Sequence, residues 1–393
     1  MHLGLWACAA LLGNVWWLDR GSFLHRGPAW PLYLAPAAAL GLLVYLRHEP
    51  LTEWLTTAGT DPVWIAAAVG GGLVLARLRS RLRRMLAARG ARIAAGLTAL
   101  LLFAGALTML ARDPITDALA HMRNFYGVLH VTDDDPDAEE SHRYRLKHGR
   151  ITHGYQFQRP DLRQEPTAYY GRDSGIGLML LRHPRRFALR DRLQPLRVGV
   201  VGLGVGTLAT YGNSGDTYRF YEINPDVVKL SKVSRGLFSY LNDSEANTEI
   251  ALGDARLLLE QELARDGPQQ FDVLAIDAFS SDAIPVHLLT AEAFETYLGH
   301  LRDADSVLAV HISNRYLDLK PVVWALARHF GLHWVVVESE NSQYLSESTW
   351  VLLARSESPL QVPGLTEQSP PETPADIPLW RDDYSNLFRI IKW

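Results

Sequence analysis

Residues 198–207 read VGVVGLGVGT, an apolar run of strand length followed by Gly202, Gly204 and Gly206 ahead of a helical stretch. Glycines at that place let bare backbone approach a ligand at the carboxyl end of a first α/β strand. About 20 residues on, where the acidic residue of a nucleoside site belongs, Glu222 ends the next apolar run. A carboxylate there accepts hydrogen bonds from both ribose hydroxyls. Gly253-Asp254-Ala255 closes a third run, where an aspartate accepts from an adenine amino group. In this order, and without a phosphate-binding Lys-Ser/Thr pair, these residues suit S-adenosylmethionine or a relative better than NAD or ATP. A fourth run ends in Asp277, with Asp282 shortly after it in IDAFSSDAIP. Two carboxylates at one sheet edge can hold a cationic substrate or take a proton from an amine. The alternative for the pair is an Asx-turn and a helix cap. His153, Tyr155, Gln156, Tyr169 and Tyr170 precede the glycine turn and are candidates to line the donor pocket; tyrosines packed on a β subdomain are the plainer reading.

The elements that must position these groups are legible as a pattern. Residues 197–202, 218–223, 271–277 and 306–312 are short apolar runs, and 225–240 and 290–301 are of helix length. Such alternation predicts an α/β fold, a Rossmann-like, methyltransferase-type doubly wound sheet with crossover helices. Before it, residues 124–180 are rich in Tyr, His and Gly and hold β-like pieces (YGVLHV, YRLKHG), which predicts a small β-rich subdomain. The Pro-rich stretch 357–377 predicts an irregular excursion, with order returning at 380–393. The expected organisation is a transmembrane helical region at 1–112, the β-rich subdomain at 120–180 and the catalytic domain at 181–393.

The first of those regions rests on charge. The 393 residues carry a net charge of −4 and one cysteine, which excludes a disulfide framework and a zinc site built on several thiolates. There is no basic excess to suggest nucleic acid, and His142, His148 and His153 lack the helical spacing of a metal site, so no metal is expected. The average hides a division: residues 1–112 hold eleven Arg, no Lys and four acids, a balance of +7, and the rest balances at −11. Stretches 3–18, 29–46, 62–76 and 93–111 contain no Asp, Glu, Lys or Arg. Trp16, Trp17, Trp30, Tyr45, Trp54 and Trp64 sit near their ends, as at a bilayer interface. The expectation is a multi-pass anchor in the cell inner membrane, with the lipid bilayer as partner.

The run VGVVGLGVGT, then YEINPDVVKLSK, GDAR and FDVLAIDAFSSDAIP resembles the spermidine synthase (polyamine aminopropyltransferase) family. RNFYGVL, HGRITHGYQ, PTAYYG, HISNRYLDL and the terminal WRDDYSNL resemble its membrane-fused branch. The likeness runs over about residues 120–393. It implies a small β domain before a Rossmann-like domain, decarboxylated S-adenosylmethionine as substrate, and an amine attacking the carbon next to the sulfonium. By position it implies ribose binding by Glu222, adenine binding by Asp254, Asp277 as the base, and Tyr344 lining the amine pocket. The chain departs from the family pattern where Val205 replaces the loop aspartate that grips the donor amine, at the gatekeeping pair near Ser174-Gly175, and in the displacement of the second acid to Asp282. These departures keep the nucleoside site and leave open aminopropyl transfer to a polyamine or lyase-type cleavage of S-adenosylmethionine, each releasing 5′-methylthioadenosine. Methyl transfer on the same fold and a non-catalytic membrane sensor are the competing readings, and a homodimer is left open.

Topology carries a conflict. Arg77, Arg79, Arg81, Arg83, Arg84, Arg89 and Arg92 between the third and fourth stretches make that loop cytoplasmic by the positive-inside rule, which puts the following domain outside. A cytoplasmic metabolite as substrate requires the domain inside, as it would be if 77–92 lies along the surface as an interfacial helix. The expected outcome is that a reporter fused after Trp393 is active in the cytoplasm; activity confined to the periplasm contradicts it.

Overall fold

Alternate burial builds a small sheet from β1 (Ala118–Asn124), β2 (Gly127–Asp134), β3 (Arg143–His148) and β4 (Ile151–Phe157), antiparallel and paired in chain order. Leu129, Val131 and Leu146 point from it into a core shared with the larger sheet. The computed structural model describes residues 118–393 apart from 150, 189–192, 233–235, 279–284, 367–375 and 393. The apolar stretches expected to span a membrane, the loop 77–92 and Asp282 lie outside the described residues. Among the described residues no helix is long and apolar enough to cross a membrane.

After α1 (Gly175–Arg182), the strands β5 (Arg197–Val201), β6 (Thr217–Glu222), β7 (Asn247–Leu252), β8 (Val273–Ile276), β9 (Val307–His311), β10 (His333–Ser339) and β11 (Ser348–Ala354) form one sheet. Its order is β10-β11-β9-β8-β5-β6-β7. The five strands from β9 to β7 run parallel, and β11 is antiparallel to both of its neighbours. This is an α/β, Rossmann-like, methyltransferase-type sheet preceded by a small antiparallel β subdomain.

Both faces of the sheet's centre are covered, so its central strands β5, β8 and β9 are largely apolar on both sides. Val198, Val200, Val273, Ala275, Val307, Ala309, Trp350 and Leu352 face one core with α1. Val201, Leu274, Ile276, Leu308, Val310, Val351 and Leu353 face the other. The second core takes in the buried faces of α4 (Ala255–Arg265), α5 (Ala291–His300) and α6 (Lys320–His329). The helices begin where side chains satisfy their free N–H groups: Ser174 Oγ accepts from Gly177, Asp254 from Leu257 and Thr290 from Ala293.

Residues 225–240 read as one helix by length, but they form α2 (Pro225–Ser231) and α3 (Tyr240–Asp243). Between them Gly236 N–H donates to Lys232 O at 2.8 Å and Phe238 N–H to Leu230 O at 3.2 Å. β10 completes the sheet at one edge and α6 packs on it, beyond the elements that the apolar runs predict.

One buried ion pair ties the turn after α1 to the start of the parallel strands. Arg186 donates to Asp216 at 3.0 and 3.3 Å, and Asp216 also accepts from the backbone of Leu196 (2.8 Å) and Asn213 (2.9 Å). Their side chains are only 3% and 0% exposed. Removing one partner leaves the other charge uncompensated. Asp216→Ala is therefore expected to lower the unfolding free energy by about 3–5 kcal/mol in urea titrations; a loss below about 1 kcal/mol, the scale of a surface pair, contradicts a buried role.

Candidate active site

Ligands of open α/β sheets bind outside the carboxyl ends of the strands, where the strand order reverses. Here that point is β5, with β6 on one side and β8 on the other. Hydrogen bonding continues one residue past each strand end: Gly202 N–H donates to Tyr221 O, Gly253 N–H to Glu222 O and Asp277 N–H to Val201 O, at 2.8–2.9 Å. Three of the sequence motifs are thereby set side by side along one edge. Above them is a cleft of about 210 Å3, lined by Gly202, Gly204, Glu222, Asp254 and Asp277 among others. The small sheet contributes Tyr126, Leu129, Leu146, His148 and His153 to its wall. Asn124 holds that hairpin in place by donating to Asn224 Oδ1 and Asp226 Oδ2 at the start of α2, both at 2.7 Å.

Gly202 has φ +101°, and a Cβ on it would lie 2.3 Å from Asp277 O. No side chain fits there, and the left-handed backbone favours glycine independently. A Cβ on Gly204 would lie 2.9 Å from His153 O, so the loop is pressed between β4 and the end of β8.

Glu222 is buried, and its carboxylate accepts from Leu203 N–H (3.0 Å) and Asn224 N–H (2.7 Å). Burial pushes its pKa up, opposed by these backbone donors and that of Ile223. Fixed in this way at the cleft wall, it keeps lone pairs to offer two adjacent hydroxyls. Asp254 caps α4 through Oδ1, while Oδ2 lies 3.1 Å from His287 Nε2. Both residues line the cleft. Nothing in the local sequence marks His287, because its meeting with Asp254 depends on two separate crossovers. Arg256 fixes the same corner, donating to both oxygens of Asp382 (2.6 and 2.7 Å) and to His287 O.

Asp277 is bonded on both oxygens. The Tyr170 hydroxyl donates to Oδ2, and His311 Nδ1 lies 2.6 Å from Oδ1. His311 Nε2 is 2.7 Å from Ser313 Oγ, which accepts from Thr349 N–H at 2.8 Å. The imidazole is stacked between Tyr169 and Trp350, with centroids 4.8 and 4.7 Å away. Burial and the nearby carboxylate hold the Tyr170 phenol well above its ordinary pKa, so it stays protonated and donates. The Asp277 carboxylate is thus oriented by Tyr170 and His311, and the imidazole in turn by the rings of Tyr169 and Trp350.

Of the residues expected at the pocket, His153 lines the cleft, Tyr170 reaches it through Asp277, and Tyr155, Gln156, Tyr169, Gly206 and Tyr344 are not among its lining residues. Gln156 is buried and saturated: its amide donates to Arg163 O and Ser239 Oγ at 3.0 Å and accepts from Ser239 N–H at 2.7 Å. It locks β4 to the start of α3 and does not line the cleft. Tyr344 packs its ring on Phe157, centroids 4.8 Å apart, in a separate small cluster with Tyr155 and Ala168. Tyr155 donates to its main-chain oxygen. Among the described residues no group of three or more His, Cys, Asp or Glu side chains is placed to hold a metal ion.

No family model matches the chain. A polyamine aminopropyltransferase of Vibrio vulnificus (strain CMCP6) is 29% identical over 102 residues, which are 25% of this chain and 32% of that relative. The matched segment thus spans about a third of the relative's length. Among solved structures, the spermidine synthase from Thermotoga maritima is 13% identical with a TM-score of 0.40, covering 62% of this chain and 75% of that one. A probable spermidine synthase from Corynebacterium glutamicum ATCC 13032 is 16% identical with a TM-score of 0.44, covering 60% and 79%. The O-methyltransferase from Bacillus cereus, solved with SAH, is 16% identical with a TM-score of 0.29, covering 40% and 73%. Over a quarter of its length the chain is distantly similar in sequence to a polyamine aminopropyltransferase.

Burial, the neighbouring His148 adding to it, holds His153 at a pKa of about 4. Burial, helped by Arg185, does the same to His183. Because the folded values lie below the unfolded value of about 6.5, the unfolded chain takes up these protons first. Their contribution to stability is complete above about pH 6.5 and is lost as pH falls toward 4. Melting temperatures are expected to fall between pH 6.5 and 4.5, and His183→Asn to flatten the fall; an identical slope in the variant contradicts the assignment.

Proposed function

We propose that the cleft binds a sulfonium nucleoside, S-adenosylmethionine or its decarboxylated form, and that the chain consumes it with release of 5′-methylthioadenosine. The observation that carries this reading is the single sheet edge on which Glu222, Asp254 and the doubly bonded Asp277 flank the glycine turn. Glu222 is set to accept from the ribose hydroxyls, and Asp254 with His287 to meet the adenine edge. Asp277 lies beyond the turn, at the reacting end.

In aminopropyl transfer, the amine lone pair forms a C–N bond at the methylene next to sulfur. The C–S bond breaks with its electron pair staying on sulfur, and the sulfonium becomes a neutral thioether. The proton lost by the amine goes to Asp277, whose carboxylate is oriented by Tyr170 and His311. The partial sequence likeness to a polyamine aminopropyltransferase supports this chemistry.

A second reading has its own observation. Asp277 is already engaged on both oxygens, and its far side is closed by the stack of Tyr169, His311 and Trp350. That arrangement favours cleavage without an external amine, in which the carboxylate of intact S-adenosylmethionine attacks the same methylene. A C–O bond then forms as the C–S bond breaks, and no amine has to be deprotonated. In either case we read residues 1–112 as an inner-membrane anchor for a cytoplasmic catalytic domain.

Full-length protein incubated with each donor, with and without putrescine, is expected to release 5′-methylthioadenosine. Release only with amine supports transfer, release without it supports cleavage, and S-adenosylhomocysteine or no product overturns the proposal. Asp277→Asn is expected to keep donor binding and lower turnover by about 100-fold or more, the scale of lost general-base catalysis; unchanged turnover removes Asp277 from the chemistry.

A further inference from the structure

His153 lines the cleft on β4, and its Nε2 is buried without a hydrogen-bond partner. Buried polar atoms are nearly always bonded, and an orphan costs about 1–3 kcal/mol. An unmet imidazole nitrogen on a residue that lines a ligand cleft is therefore a place where a ligand atom belongs. Its ring lies 5.5 Å from that of His148, and its main chain abuts Gly204. His153 stands on the cleft wall where β4 packs on Gly204 of the glycine turn, and with Glu222 and Asp254 assigned to the nucleoside this wall, which also holds Asp277, is the one left for the tail carried on the sulfonium.

The charges around that end decide which tail fits. Asp277, held by Tyr170 and His311, keeps lone pairs for the amino group that both donors carry, so it does not choose between them. Val205, in the glycine turn, is buried against Gly154, where an added Cβ would lie 2.6 Å from its Cγ2. The turn thus offers an apolar side chain directed into the core, whereas His153 offers a donor. A neutral imidazole with Nε2 protonated can bond a carboxylate and adds no positive charge against the sulfonium.

We infer that His153 is a specificity-determining residue that reads the tail of the donor, its Nε2–H donating to the carboxylate of intact S-adenosylmethionine. The inference rests on the nucleoside reading of the cleft and concerns only the tail. Nothing at this position distinguishes nucleosides, because 5′-methylthioadenosine has the same adenosine and no amino-acid tail.

Calorimetric titration of the full-length chain with S-adenosylmethionine, decarboxylated S-adenosylmethionine and 5′-methylthioadenosine tests it. In His153→Ala, affinity for S-adenosylmethionine is expected to fall about 10- to 100-fold, the range of a hydrogen bond to a charged group. Affinity for 5′-methylthioadenosine is expected to stay within about twofold, which also shows that the variant is folded. His153→Gln, whose amide N–H reaches the position of Nε2, is expected to recover part of the loss. Equal weakening of all three ligands, no weakening of S-adenosylmethionine, or a larger loss for the decarboxylated donor overturns the inference. A wild-type chain that binds none of the three overturns the nucleoside reading itself, and the inference with it.

Discussion

The approach of the glycine turn to the end of β8 governs how the site is built. The carbonyl of Asp277 occupies the space a Cβ on Gly202 would need, 2.3 Å away, so the two strand ends are separated by backbone alone. That closeness lets the turn cross the sheet edge without lifting off it. It also leaves an open cleft between Glu222 on one side and Asp277 on the other. Any side chain at 202 would push the turn away from β8 and separate the two carboxylates that define the cleft.

Around this contact the acidic groups are fixed in different ways. Glu222 is held by backbone N–H groups, which orient it while leaving lone pairs toward the cleft. Asp254 divides its carboxylate between a helix cap and His287. Asp277 belongs to a chain from Tyr170 through His311 and Ser313 to the backbone of Thr349, joining the ends of β8, β9 and β11 to the segment before α1. Buried networks of this kind are rigid when every member is bonded and costly when one is lost. The orientation of Asp277 is therefore a property of four chain segments. His153 differs from all of these, because its ring nitrogen is buried and waits for a partner.

Much of the fold was legible in the residues. Stretches such as 198–202 and 307–310 are apolar at every position because both faces of a parallel strand are covered, and each became a strand within a residue or two of its run. The placement of Glu222, Asp254 and Asp277 at strand ends followed from the same pattern. The roles of Gln156 and Tyr344 did not. Both are polar residues close to recognisable motifs, but Gln156 spends its amide on Ser239 and Arg163, and Tyr344 turns its ring to Phe157. Ser239 and Phe157 are distant in the chain from the residues they meet, and adjacency in sequence says nothing about them.

By itself the sequence determined which residues end strands, since hydrophobic periodicity and turn chemistry are local properties of consecutive residues. It also determined the division between an arginine-only, acid-poor first third and an acidic remainder. Tertiary structure alone decided which polar groups are already bonded and which are not. His311 joins Asp277, His287 joins Asp254 and His153 is left unmet because strand order and crossovers bring together residues that the chain keeps far apart. A hydrogen bond requires its atoms within about 3 Å, and only the folded chain sets distances on that scale.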